Sequence, residues 1–232
     1  MGKKKIIIVM PAYNAELTLE KTYRDIPEGF VSEVILCDDE SRDRTVDVAR
    51  GLGLTVMLHE KNKGYGGNQK TLYRNALDKG ADIIVMLHPD YQYDSKKIPD
   101  LIQPIIDGKA DLVLGSRILG EGALKGGMPL YKYISNRFLT FCENKVLGLD
   151  LSEFHTGLRA FSRKFLENVG WQHFSDDFLF DAQILIEAAK ANFRIAEIPI
   201  ETRYFKEASQ VDFLAGIRYG VGILWELVRV LR

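Results

Sequence analysis

Residues 83–94 read IIVMLHPDYQYD. The run Ile83, Ile84, Val85, Met86, Leu87 is apolar at every position, as expected of a central parallel strand that helices cover on both faces. Pro89 cannot continue such a strand, because it has no amide to donate to the ladder. His88, Asp90, Gln92 and Asp94 then emerge past its carboxyl end, the edge of an open α/β sheet where ligands bind. A histidine, carboxylates and an amide gathered there make a candidate site; the alternative is a polar loop facing water.

Working outward, apolar runs at Lys5 to Met10, Glu33 to Cys37, Thr55 to Leu58 and Asp111 to Leu114 alternate with helical patterns. Such alternation predicts an α/β fold with a mostly parallel sheet. The helix candidates in this half are Glu16 to Asp25, Asp43 to Gly51, Asn68 to Lys79 and Ser95 to Asp107. Asp43 and Ser95 read as N-caps, and Gly51, Gly80 and Gly108 as left-handed stops. After Leu114 a glycine-rich stretch, Gly120 to Gly127, leads to a long helical pattern from Leu130 to Leu147. A TGLRAF strand, a helix from Asp177 to Ala191, a strand near Ile195 to Ile200 and a C-terminal helix complete the chain. The expected division is residues 1–210 as the principal domain and 211–232 as the amphipathic C-terminal helix.

Composition excludes several classes. The 31 basic and 32 acidic residues nearly cancel, so no electrostatic footprint for nonspecific nucleic-acid binding exists. Cys37 and Cys142 make no disulfide framework, which fits a reducing, cytoplasmic setting. The apolar run Ile6 to Met10 is too short for a signal-peptide core, and no run approaches the roughly 18 apolar residues of a membrane span.

Two further strand tips, Pro11-Ala12-Tyr13-Asn14 and Asp38-Asp39-Glu40-Ser41, are expected on the same edge as His88 to Asp94. Paired carboxylates at a tip suit nucleoside hydroxyls and ring nitrogens, or simply a helix cap. The stretch Lys63 to Thr71, KGYGGNQKT, invites a phosphate-loop reading, but a Walker loop needs glycine before its lysine and Gln69 stands there. It reads better as a tight turn opening a helix beside the cleft. Arg117, after Gly115-Ser116, is placed either to clamp a phosphate bidentately or to form a surface ion pair. Asp181, among Phe178, Phe180 and Ile184, is set either as a general base with a raised pKa or as a capping carboxylate. Thr202 to Glu207 clusters Arg203, Tyr204, Phe205 and Lys206 as a lid over an anion, or as an exposed loop.

In this order the motifs resemble family 2 glycosyltransferases of the nucleotide-diphospho-sugar (GT-A) fold, most of all the branch of dolichyl-phosphate mannose synthase and its bacterial relatives. PAYN resembles P-x-Y-N, and CDDES resembles V-D-D-G-S with Glu40 in place of glycine. HPDYQYD is similar to the metal motif D-x-D-x-Q, LGSR to the strand that ends in a phosphate-binding arginine, and HTGLRAF to T-G-x-R-x-F. The likeness runs from about Ile6 to Phe213. It implies an inverting hexosyltransferase moving sugar from a nucleoside diphosphate sugar to a lipid-phosphate or cell-envelope glycan acceptor.

By that resemblance Asp90 and Gln92 would hold Mg²⁺ or Mn²⁺. His88 stands where the family has aspartate, so it is either a nitrogen ligand better suited to Mn²⁺ or a donor to a phosphate. Pro11, Tyr13, Asp38 and Asp39 would contact the nucleoside. Arg117, Arg203 and Lys206 would handle phosphate charge, with Asp181 as base and Asp177 in reserve. The apolar tail from Phe213 to Arg232 is expected to pack on the domain, on a second subunit of a homo-oligomer, or peripherally at the inner face of the plasma membrane. Two other readings compete: a noncatalytic sugar-nucleotide binder or partner subunit, and a nucleotidyltransferase. The second lacks its usual glycine-rich basic loop, since PAYNAE follows the first strand.

Overall fold

The computed structural model describes residues 4–120, 122–205 and 213–232. Its elements run β1 (Ile6–Ala12), α1 (Leu19–Arg24), β2 (Glu33–Asp38), α2 (Thr45–Gly51), β3 (Thr55–Leu58), α3 (Gly64–Asp78), β4 (Ile83–Met86) and α4 (Ile98–Ile106). The second half adds β5 (Leu112–Ser116), α5 (Gly122–Lys125), α6 (Leu130–Leu147), β6 (Arg159–Ser162), α7 (Arg163–Asn168), α8 (Leu179–Lys190), β7 (Ile195–Pro199) and α9 (Phe213–Val230).

The strands form one sheet in the order β3-β2-β1-β4-β6-β5-β7. All neighbours are parallel except β6, which is antiparallel to both β4 and β5. Apolar side chains alternate between two cores. Ile7, Val9, Ile84 and Met86 face α3, α7 and α8, while Ile8, Met10, Ile83 and Val85 face α1 and α4. Burial on both faces is why these strands carry no polar alternation.

The order reverses at β1, with β2 on one side and β4 on the other, so the carboxyl ends of these strands part and leave a crevice. Pro11 sits within β1, opposite Cys37. Its residue faces the β4 side, where pairing ends at Val9 and Met86, so its missing amide costs no ladder bond. Antiparallel β6 begins where β4 and β5 end, with Met86 and Leu114 both opposite Arg159. Residues 155–159 therefore arrive at the functional edge.

Local expectations needed three adjustments. Asp94, not Ser95, caps the turn before α4, accepting from Lys96 N–H at 3.2 Å, while Ser95 Oγ donates to the Thr22 carbonyl. The helix expected from Asn68 already begins at Gly64, so the glycine stretch forms its first turn. After α2 the left-handed residue is Gly53 rather than Gly51, while Gly80 and Gly108 do adopt positive φ. Helix α9 packs on α6 and α8 through Leu139, Ala182, Ile186, Ile223 and Leu227.

Candidate active site

A cleft of about 800 Å³ opens at the β1/β4 crevice. Pro11, Tyr13, Asp39, His88, Asp90, Gln92, Arg117 and Asp181 all line it. At its far end it continues between α6 and α9, past Met128, Phe138, Leu139, Ile217, Val221 and Leu224. One cavity thus has a polar end at the strand tips and an apolar end between two helices.

At the polar end Asp39 is buried and fully engaged. Its Oδ1 accepts from Lys63 N–H at 2.9 Å and lies 2.7 Å from His59 Nδ1, and its Oδ2 accepts from Gly64 N–H at 3.0 Å. It therefore anchors the start of α3. Asp38 lies just outside the lining; Oδ1 accepts from Ser41 N–H at 3.0 Å, while Oδ2 is buried without a protein donor. Asn68 does line the cleft, and its Oδ1 is likewise buried and unpartnered. Buried acceptors of this kind call for donors, and a nucleoside supplies ring N–H and hydroxyl groups.

The glycines of α3 serve packing rather than phosphate. Asp176 carbonyl oxygen accepts from Gly66 N–H at 2.8 Å and Gly67 N–H at 3.3 Å, so these helix-opening amides are already spent. A Cβ on Gly64 would meet that oxygen at 2.5 Å, and one on Gly66 would meet Phe180 Cβ at 2.8 Å. Only glycine lets the segment before α8 approach this closely.

That approach places Tyr65 between α8 and β4. Its hydroxyl donates to Asp181 Oδ2 at 2.7 Å and lies 3.0 Å from His88 Nε2, while its ring packs against His88 and Phe178. A phenol has one proton. With that proton on Asp181, His88 Nε2–H donates to the phenol oxygen and the lone pair of the neutral ring falls on Nδ1. Burial holds the His88 pKa below its ordinary value, which keeps the ring neutral near pH 7. In that tautomer the Nε2 proton is committed to Tyr65 and Nδ1 is left as an acceptor or metal ligand. Asp181 Oδ1 accepts from Gln69 Nε2 at 3.2 Å and sits 3.6 Å from the buried Arg159 guanidinium.

Burial raises the Asp90 pKa, and the nearby His88 and the amides of Gln92 and Asp90 only partly offset it. A cation would reverse that balance. Among the described residues no group of three His, Cys, Asp or Glu side chains gathers to hold one. The donor set nevertheless fits an ion bound through one carboxylate and substrate phosphates, the usual Mg²⁺ arrangement, with Gln92 and His88 beside Asp90.

Arg117 is buried against Glu153. Glu153 accepts from Arg117 Nε at 2.8 Å, from Nη2, and from the Arg117 backbone N–H at 2.9 Å. Nη1 donates to Tyr204 Oη at 3.0 Å and Nη2 to the His155 carbonyl at 2.7 Å. Four of the five guanidinium N–H groups are thus used, so the expected bidentate phosphate clamp is not available, and the alternative surface pair is in fact buried. Its charge still faces the cleft. Lys132 lines the same stretch, its pKa lowered by burial and by the charge of Arg117, so negative charge is favoured between them.

The remaining expected residues lie elsewhere. Asp177 caps α8, accepting from Leu179 N–H at 2.8 Å and from Ser175 Oγ, and does not line the cleft. Arg203 stacks on Tyr91 at 4.5 Å and reaches Asp25 at 4.0 Å, on the outer side of the HPDYQYD turn. Lys206 lies outside the described residues. Sequence reasoning missed Tyr65, Asn68, Lys132 and Glu153. Tyr65 alone left a signal, as a large ring inside a glycine turn.

Comparison with known proteins agrees with this architecture. The "Glycosyl transferase family 2" profile matches residues 7–170. The chain belongs to glycosyltransferase family 2. It is 31% identical over 221 residues to a UDP-N-acetylglucosamine–dolichyl-phosphate N-acetylglucosaminyltransferase of Methanococcus voltae, covering 88% of each chain. It is 27% identical to an undecaprenyl-phosphate mannosyltransferase of Micrococcus luteus, covering 97% of this chain and 98% of that one. Among solved structures, glucosyl-3-phosphoglycerate synthase of Mycobacterium tuberculosis with Mn²⁺, UDP-glucose and phosphoglyceric acid superposes with a TM-score of 0.74. That match, at 21% identity, covers 98% of this chain and 79% of the other, and shares the GT-A fold. The chain is a glycosyltransferase, which sets aside the noncatalytic binder and the nucleotidyltransferase.

Proposed function

We propose that this glycosyltransferase moves a hexose, with inversion, from a nucleoside diphosphate sugar to a polyprenyl-type lipid phosphate. One observation carries the acceptor half: a single cleft runs from the strand-tip pocket past Arg117 and Lys132 into the apolar groove between α6 and α9. An amphiphile with a phosphate head and an apolar chain matches that sequence of surfaces. The named activities of the Methanococcus and Micrococcus relatives support the same acceptor class.

Pro11 and Tyr13 wall the nucleoside pocket, and Asn68 Oδ1, on the cleft lining, accepts from the nucleoside, with Asp38 in the layer behind it. A divalent ion at Asp90, with Gln92 and His88, would offset charge that builds on the departing diphosphate. Arg117 and Lys132 orient the acceptor phosphate, one oxygen of which attacks the anomeric carbon. The new C–O bond forms as the bond to the β-phosphate oxygen breaks, and the electron pair leaves with the nucleoside diphosphate. A phosphate nucleophile is already anionic and has no proton to surrender, so Asp181 here holds Tyr65 and His88 in place rather than acting as base. If the acceptor were a hydroxyl, Asp181 would be the base within reach. A lipid acceptor also puts the enzyme at a membrane surface, the inner face of the plasma membrane in this reading.

The test incubates UDP- and GDP-sugars with a short-chain polyprenyl phosphate and Mg²⁺ or Mn²⁺, and reads product by mass spectrometry. Glycosylated polyprenyl phosphate is expected. Transfer to soluble hydroxyl acceptors alone would overturn the acceptor assignment.

A further inference from the structure

The apolar groove opens onto a larger apolar surface. On α6, Leu130, Ile134, Phe138 and Phe141 form one exposed stripe, opposite the buried stripe of Asn136, Leu139, Thr140 and Glu143. On α9, Leu214, Ile217, Val221, Trp225 and Val228 are exposed, while Ile223 and Leu227 pack inward. Trp225 and Phe141 are each 60% exposed. Two adjacent helices that leave this many large side chains in water mark an interaction surface.

Charge identifies the occupant. Within the two helices the exposed ionic side chains are Arg137, Lys145, Arg218 and Arg229, all basic; Arg232 follows α9, and the one exposed acid nearby, Asp150, lies past the end of α6. The helices' own acids are withdrawn: Glu143 is buried, and Glu226 is half-buried and paired with Arg229 and Gln183. A second copy of the chain would set like charges against each other across a symmetric interface. An anionic bilayer complements them, with arginines at headgroup level and aromatic side chains at the acyl boundary. Among the described residues no helix is long and apolar enough to cross a membrane, so such contact lies along the surface.

We propose that α6 and α9 together dock this enzyme on an anionic lipid surface, with the mouth of the cleft facing the acyl layer. Phe138, Ile217, Val221 and Leu224 belong to both the exposed face and the cleft lining. A lipid chain could therefore enter the groove sideways without passing through water. Only this entry route rests on the acceptor assignment above; docking itself does not.

The full chain is tested by co-sedimentation with phosphatidylcholine vesicles and with vesicles of equal parts phosphatidylcholine and phosphatidylglycerol. Binding is expected on the second and is weakened by salt. Phe141→Glu/Trp225→Glu, both outside the cleft lining, should weaken binding by at least about tenfold, since burying either ring contributes roughly 1.5–3 kcal/mol. Arg218→Glu/Arg229→Glu should weaken it on the anionic vesicles specifically. Circular dichroism checks that each variant is folded. Failure of the folded protein to bind, binding indifferent to both double variants, or a self-associated dimer that the same variants dissolve would overturn the proposal. Vesicle binding without sugar transfer to any lipid phosphate would leave docking intact and remove the acceptor assignment. Transfer to a short-chain acceptor without vesicle binding would do the reverse.

Discussion

Tyr65→Phe removes one oxygen and keeps the ring that packs between His88 and Phe178. The lost hydroxyl donates to Asp181 at 2.7 Å and receives His88 Nε2–H at 3.0 Å. A hydrogen bond to a charged group contributes about 1.5–3 kcal/mol, and a buried donor left without an acceptor costs about 1–3 kcal/mol. Gln69 and Arg159 still hold Asp181, so the sum is discounted to about 2–4 kcal/mol. For a chain of this size that lowers Tm by roughly 5–12 °C. Calorimetry or urea unfolding reads the change, with the denaturant slope constant if the effect is local. A double-mutant cycle with Asp181→Asn should show a coupling of at least about 1 kcal/mol. Long-range ¹H–¹⁵N correlation of the His88 ring should show protonated Nε2 and bare Nδ1 in the parent, and a mixed tautomer in Tyr65→Phe. A loss below about 1 kcal/mol, or a parent ring protonated on Nδ1, would refute the relay.

Three further outcomes follow from other contacts. Burial would raise the Glu153 pKa, but the charge and hydrogen bonds of Arg117 and the Asn136 amide outweigh it and hold it below its ordinary 4.5. A depressed carboxylate contributes stability that is present above pH 4.5 and lost as pH falls through the folded value. Glu153→Gln should therefore cost about 3–5 kcal/mol at pH 7 by stranding Arg117 and flatten the acid limb of a stability–pH curve; an unchanged limb would count against the pair. Gly66→Ala sets a Cβ against Phe180 and the Ser175 carbonyl; overpacking of that kind costs about 1–3 kcal/mol, and it should separate Tyr65 from Asp181, read as weaker nucleotide binding by calorimetry. Glu40 holds φ at +70°, in the left-handed region, where a non-glycine residue is strained by about 1–2 kcal/mol. Glu40→Gly forfeits the Asn62 N–H contact at 3.0 Å, so a net gain of about 0.5–1 kcal/mol is expected in urea unfolding.

Local pattern determined much of this protein. The unbroken apolar run at residues 83–87 marked β4 as a central strand, since burial on both faces leaves no polar positions, and helix α6 falls where its periodicity placed it, Leu130–Leu147. The strand tips at Pro11, Asp38 and His88 could be assigned to one edge because parallel strands carry their carboxyl ends together. The tertiary structure decided what those tips touch. Nothing local in TGLRAF says that β6 runs antiparallel, yet that direction delivers His155 and Arg159 to the active edge. The relay joins Tyr65 to His88 and to Asp181, 23 and 116 residues away, and such partners leave no periodic trace. Arg117 read as a phosphate clamp because its strand position was visible and Glu153, 36 residues on, was not. Side-chain periodicity records only which face of an element is buried; which charge, ring or apolar groove lies opposite is set by long-range packing.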